Sequence, residues 1–82
     1  MSIENKFYEL SELLYNNDPA GTCCVENEMI DEYDTEAFYI LKNEKITDFE
    51  SVSDYFNTRF DGEYDPEILK AIYPTIKRII FS

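Results

Sequence analysis

Apolar residues recur along this chain at spacings of three and four, and acids dominate the polar positions between them. Over residues 2–16, Ile3, Phe7, Leu10, Leu13 and Leu14 form one stripe with Glu4, Glu9 and Glu12 opposite. That is the pattern of an amphipathic helix. It should stop at Asn16-Asn17-Asp18-Pro19, because a proline disfavours the helical conformation for the residue before it and Gly21 then frees the backbone. Residues 17–30 read as a loop. A second helix is predicted to begin at Asp31 or Asp34 and to end near Asn43, with Tyr33, Ala37, Ile40 and Leu41 on one face.

Thr47-Asp48-Phe49-Glu50 fits a capping box, in which the Thr47 hydroxyl and the Glu50 carboxylate each satisfy a free N–H at the start of a third helix. Phe49, Val52, Tyr55 or Phe56, and Phe60 mark its buried stripe, and Asp61-Gly62 ends it. Asp65-Pro66 supplies an N-cap and a first-turn proline for a fourth helix through Ile68, Leu69, Ile72, Ile76, Ile79 and Ile80. Pro74 interrupts this helix, at about 3 kcal/mol in a straight one, so a kink or a split near Tyr73 is expected. The fold class that follows is all-α: one domain over residues 1–82, a small four-helix bundle with its last helix bent or divided.

Charge changes the picture next. The 82 residues carry 18 Asp+Glu against 7 Lys+Arg, a net charge of −11. With hydrophobic residues at 44% and aromatics at 16%, the chain is too apolar for a disordered acidic tail. It reads instead as a folded domain holding about 3 to 5 kcal/mol of net stability. Self-repulsion subtracts from that margin. Such a surface repels phosphate backbones and anionic headgroups, so nucleic acid and membranes are not expected partners. No apolar run approaches a membrane span, and no basic-then-apolar leader opens the sequence. The expected location is the cytoplasm, and a monomer is the expected state. Cys23 and Cys24 are adjacent and have no third cysteine to pair with, which fits a reducing compartment.

Candidate chemistry narrows quickly. The chain has no histidine, which removes the usual general base and the commonest metal ligand. A pair of carboxylates tuned apart in pKa needs a walled cleft, which so small a core rarely provides, so no enzymatic activity is expected. The alternating acids at Asp61, Glu63, Asp65 and Glu67 miss a calcium-loop pattern, since counting from Asp61 puts Pro66 at the sixth position and Ile72 at the twelfth. Those acids read as a capped helix start. The cysteine pair lacks further soft ligands and reads as small apolar residues near the core. No metal and no cofactor is expected.

One constellation remains. No basic residue lies between Lys6 and Lys42, whereas nine acids do, and six of these, Glu26, Glu28, Asp31, Glu32, Asp34 and Glu36, crowd the eleven residues 26–36. Met29, Ile30 and Tyr33 are interleaved with them. Solubility needs a net charge of only about 2 to 8 with both signs mixed, so a one-sign block reads as a surface for a basic partner. Asp31, Glu32, Asp34 and Glu36 are the expected electrostatic contacts, with an N-cap as the alternative for Asp31 or Asp34; Tyr33 is either an aromatic anchor or a core residue beside Ala37, and Glu26 and Glu28 are steering charges at the rim.

Asp18-Pro19-Ala20-Gly21 followed by Asp31-Glu32-Tyr33-Asp34-Thr35-Glu36-Ala37 resembles a group of short acidic bacterial proteins with a D-P-x-G... D-E-Y-D-x-E-A pattern. Some of these are immunity proteins encoded beside toxins of contact-dependent growth inhibition systems. The likeness covers residues 18–37, about a quarter of the chain, with Asn17 where the group often has an aromatic residue. It implies an immunity protein that neutralises a basic nuclease toxin, an RNase or tRNase, because such a toxin holds phosphate with Lys, Arg or His. The alternative is a nucleic-acid mimic or regulatory adaptor whose carboxylates occupy the groove of a DNA-binding protein.

Overall fold

A computed structural model describes residues 3–24 and 26–82 of the chain. Four helices follow in order: α1 (Ile3–Asn17), α2 (Asp34–Lys42), α3 (Phe49–Arg59) and α4 (Pro66–Ile80). The expected start of the first helix at Ser2 lies outside the described residues. α1 lies against both α2 and α4, and α3 lies against α4. Their inward stripes bring Leu10, Leu14, Ile40, Phe56, Leu69 and Ile76 together in the core. The stripes are those the periodicity marks, except that Ile3 at the start of α1 stands exposed, and the all-α, four-helix reading describes this chain.

α1 and α3 stop where the backbone turns left-handed. Asp18 follows α1 at φ 45°, and its N–H closes the last turn on the Leu14 carbonyl at 2.8 Å. Asp tolerates this conformation better than most residues. After α3, Asp61 (φ 53°) and Gly62 (φ 78°) reverse the chain, and the Gly62 N–H bonds back to the Asn57 carbonyl at 2.9 Å. That bond spans the last turn as in a Schellman ending.

The start of α3 corrects the sequence reading by one residue. Asp48, not Thr47, is the N-cap: its carboxylate accepts from the Ser51 N–H at 2.8 Å, and the Ser51 hydroxyl accepts from the Asp48 N–H at 3.1 Å. Helix entry at Phe49 sets its ring edge-on to Tyr73 of α4, 5.7 Å between centroids. Thr47 stands outside the helix. Replacing Asp48 by Ala is therefore expected to lower the urea midpoint measurably, and Thr47→Ala to leave it nearly unchanged. Equal losses for the two would restore the Thr47 cap.

Pro74 does not divide the last helix: α4 runs through it as one element. The proline is exposed, while Leu69, Ile72, Ile76 and Ile79 bury the opposite stripe on both sides of it. Packing of that stripe offsets one missing backbone bond, which faces water.

Candidate partner-binding site

The acidic block separates into an outer and an inner set. Glu26, Glu28 and Asp31 are exposed and Glu32 is half-buried, on a loop of successive turns between Cys24 and α2. The Met29 N–H bonds to the Cys24 carbonyl at 2.8 Å, and the Glu32 N–H to the Met29 carbonyl at 3.0 Å. The two ion pairs among the described residues are Arg59–Glu36 and Arg78–Glu9, so none of these four acids has a cation beside it. Met29 and Ile30 stand exposed between them, Ile30 at 71%.

Tyr33, Asp34 and Glu36 turn the other way. Tyr33 is fully buried, so it cannot be the aromatic anchor for a partner. Its hydroxyl donates to Asp18 at 2.6 Å and accepts from the Ala20 N–H at 3.0 Å, and its ring lies 6.5 Å from that of Phe60. Glu36, 1% exposed, is likewise not a surface contact. One of its carboxylate oxygens sits 3.3 Å from Arg59 Nε, while the other is buried with no hydrogen-bond partner among the described residues. Burial raises its pKa; the Arg59 charge acts in the opposite sense, and Glu32 and Asp34 add to the rise. Asp34 is half-buried and accepts from the Ser11 hydroxyl at 2.5 Å, which ties α2 to α1.

Asp18 is the hub of this inner set. One carboxylate oxygen accepts from the Tyr33 hydroxyl, the Thr22 N–H and the Thr22 hydroxyl, and the other accepts from the Cys23 N–H at 2.9 Å. Burial works to raise its pKa, yet these bonds outweigh burial and hold the carboxyl below its ordinary value. Tyr33 is pushed up instead, by burial first and by the Asp18 bond second, so the proton stays on the phenol. Next door, the Pro19 carbonyl accepts from the Asp65 N–H at 2.6 Å, fastening the same corner to the start of α4. The D-P-x-G... D-E-Y-D-x-E-A residues thus build the interior and its fastenings as much as they build a surface.

Cys24 is buried, its thiol directed at the Tyr15 carbonyl at 3.4 Å, whereas Cys23 is exposed at φ 61°. Only the second cysteine belongs near the core. Among the described residues, no group of three or more His, Cys, Asp or Glu is placed to hold a metal ion. Asp65 caps α4, accepting from the Glu67 N–H at 3.0 Å. No helix among the described residues is long and apolar enough to cross a membrane.

Beside the outer acids runs a groove that the sequence reading missed. About 480 Å³ in volume, it is lined by Tyr8, Ser11, Glu12, Tyr15, Asn16, Ile30 and Asp34. A smaller groove of about 280 Å³ continues from Tyr8 along Ile3, Phe7, Phe38 and Leu41. Its signal was in the sequence: Tyr8, Glu12 and Tyr15 recur at helical spacing on a face separate from the Leu10 and Leu14 stripe. Compared with protein-family models, curated proteins and solved structures, the chain matches none of them.

Proposed function

We propose that this chain is a cytoplasmic immunity protein that binds and neutralises a basic nuclease toxin of a contact-dependent growth inhibition system. One observation carries the reading: Glu26, Glu28, Asp31 and Glu32 stand on one loop without a neutralising cation among the described residues, next to exposed Met29 and Ile30. Uncompensated charge of one sign costs stability and steers an oppositely charged partner, while the apolar pair between the acids offers area to bury. The acidic likeness to immunity proteins points the same way. The nucleic-acid mimic needs a longer stripe of free carboxylates, and in the second acid series Asp65 is engaged as a cap.

The test is the association rate with the toxin encoded beside this gene, measured from about 20 mM to about 500 mM salt, with an expected fall of about tenfold or more. Glu26→Gln, Glu28→Gln and Asp31→Asn together should lower the on-rate by about tenfold at low salt and leave the off-rate nearly unchanged. A rate independent of salt would sink the proposal. Competition by duplex DNA for the bound partner would replace it with the mimic.

A further inference from the structure

We propose that the groove along α1 seats a cationic amphipathic helix of the partner, so that the anchor lies beside the acidic loop rather than on it. The inference rests on the reading of this chain as a binder of a basic protein. Among the described residues, four of the seven exposed large apolar side chains, Ile3, Tyr8, Ile30 and Phe38, line the two grooves that meet at Tyr8. Scattered apolar residues on a surface mean little, but a contiguous strip with a polar rim marks an interaction site. From Ile3 to Asn16 the strip follows α1 for about 20 Å, which matches three to four turns of a partner helix.

The rim decides the chemistry of the occupant. Glu4, Glu12 and Asp34 line the strip, and the acids of the adjoining loop extend the same field. Among the described residues the single base lining the two grooves is Lys42, whose ammonium already lies 5.7 Å from the centre of the Phe38 ring. An aromatic on this face therefore accepts a cation, and Tyr8, 61% exposed, presents a second ring to one. A second copy of this chain is the wrong occupant: each copy carries −11, and self-pairing would set Glu12 and Asp34 against acids. Leu-type side chains pointing into the grooves with Lys or Arg along both flanks satisfy apolar strip and rim together.

The experiment is a nitrogen-15 NMR titration of the full chain at low salt with three synthetic peptides of about fourteen residues, the length that spans the strip. The first is an amphipathic Leu/Arg helix, the second has the same composition with the leucines scattered around the helix, and the third carries citrulline in place of each arginine. The first peptide should move the resonances of Tyr8, Glu12, Tyr15 and Ile30 and saturate, and the other two should bind about tenfold more weakly or worse. Tyr8→Ala should weaken the first peptide by about tenfold with an unchanged melting curve, since this ring is exposed. Equal binding of all three peptides, or no binding of the first, overturns the inference. Shifts confined to Glu26, Glu28 and Asp31 overturn it too, yet leave the acidic docking reading standing, because the salt dependence of toxin association is a separate measurement. Tumbling of the free chain that slows as its concentration rises would give the face to a second copy, and the inference would fall.

Discussion

Replacing Asp18 by Ala is expected to cost about 3 kcal/mol, most of the stability a domain of this size holds. The carboxylate accepts from the Tyr33 hydroxyl, both donors of Thr22 and the Cys23 N–H, and it does so from a left-handed backbone position that Ala adopts with strain. Charge-assisted bonds contribute about 1.5 to 3 kcal/mol each, but four bonds to one group are not additive, which keeps the total well below their sum, near the value of one or two such bonds. Asp18→Asn keeps an acceptor oxygen and the tolerance for positive φ, so its loss should be smaller, about 1 to 2 kcal/mol. Tyr33→Phe leaves the Ala20 N–H unpaired in the same corner and should also cost about 1 to 2 kcal/mol. Urea unfolding of the three variants checks the ranking. An Asp18→Ala protein as stable as the parent would show that the corner does not hold the fold.

The sign of the pH dependence follows from the lowered pKa. A carboxyl whose folded pKa lies below its ordinary 3.8 stabilises the fold above that value, and the contribution fades as pH falls through the folded pKa. The gap between parent and Asp18→Ala should accordingly be full at neutral pH and narrow in acid, leaving the bonds that a protonated carboxyl still accepts and the backbone strain on Ala. Loss of toxin binding by Asp18→Ala would then report unfolding, not a missing contact.

How far the sequence could be read depends on the kind of residue. The helices were legible because burial of one stripe per helix dictates the spacing of Leu10, Leu14, Phe56, Leu69 and Ile76, and turn chemistry at Asp18, Gly62 and Asp65 bounds them. Acids mislead, since side-chain type does not say which way a carboxylate faces. Glu36 falls between Tyr33 and Ile40 on the stripe that also holds Ala37, so its burial was readable from position even though its charge argued for solvent. Its partner was not readable, because Arg59 meets it only once α3 is packed. Pro74 shows the same limit: the missing N–H is certain from the sequence, but whether the helix divides there is decided by the apolar stripe on the other side. The tyrosines of α1 stand out less because burial imprints only the inward stripe on the sequence, and the groove lies on the neighbouring face.

Removing Arg59 is expected to be the second large loss. Arg59→Met should cost about 2 to 3 kcal/mol at neutral pH, because it leaves the Glu36 carboxylate buried without a counter-charge. The value sits below that of a fully enclosed pair, as the Arg59 side chain is 50% exposed while that of Glu36 is 2% exposed. Glu36→Gln should behave oppositely. The folded pKa of Glu36 lies above its ordinary 4.5, so its favourable contribution is present below that value and is lost as pH rises through the folded pKa. At neutral pH the ionised form is the disfavoured one, with one oxygen unpartnered among the described residues, and the neutral amide should leave stability unchanged or raise it. Arg59→Met combined with Glu36→Gln should then recover most of what Arg59→Met loses, the coupling expected when one partner's penalty is the other's stranded charge. Acidification separates this pair from the Asp18 corner: Arg59→Met should regain more stability than the parent as Glu36 takes up a proton, because Arg59 no longer opposes the rise, while both proteins lose the Asp18 contribution lower in the same titration. Unfolding curves of the parent, both single variants and the double variant across the acid range test the two carboxylates against each other. Identical pH profiles for all four proteins would mean that Glu36 is solvated and that the Arg59 contact does not matter to the fold.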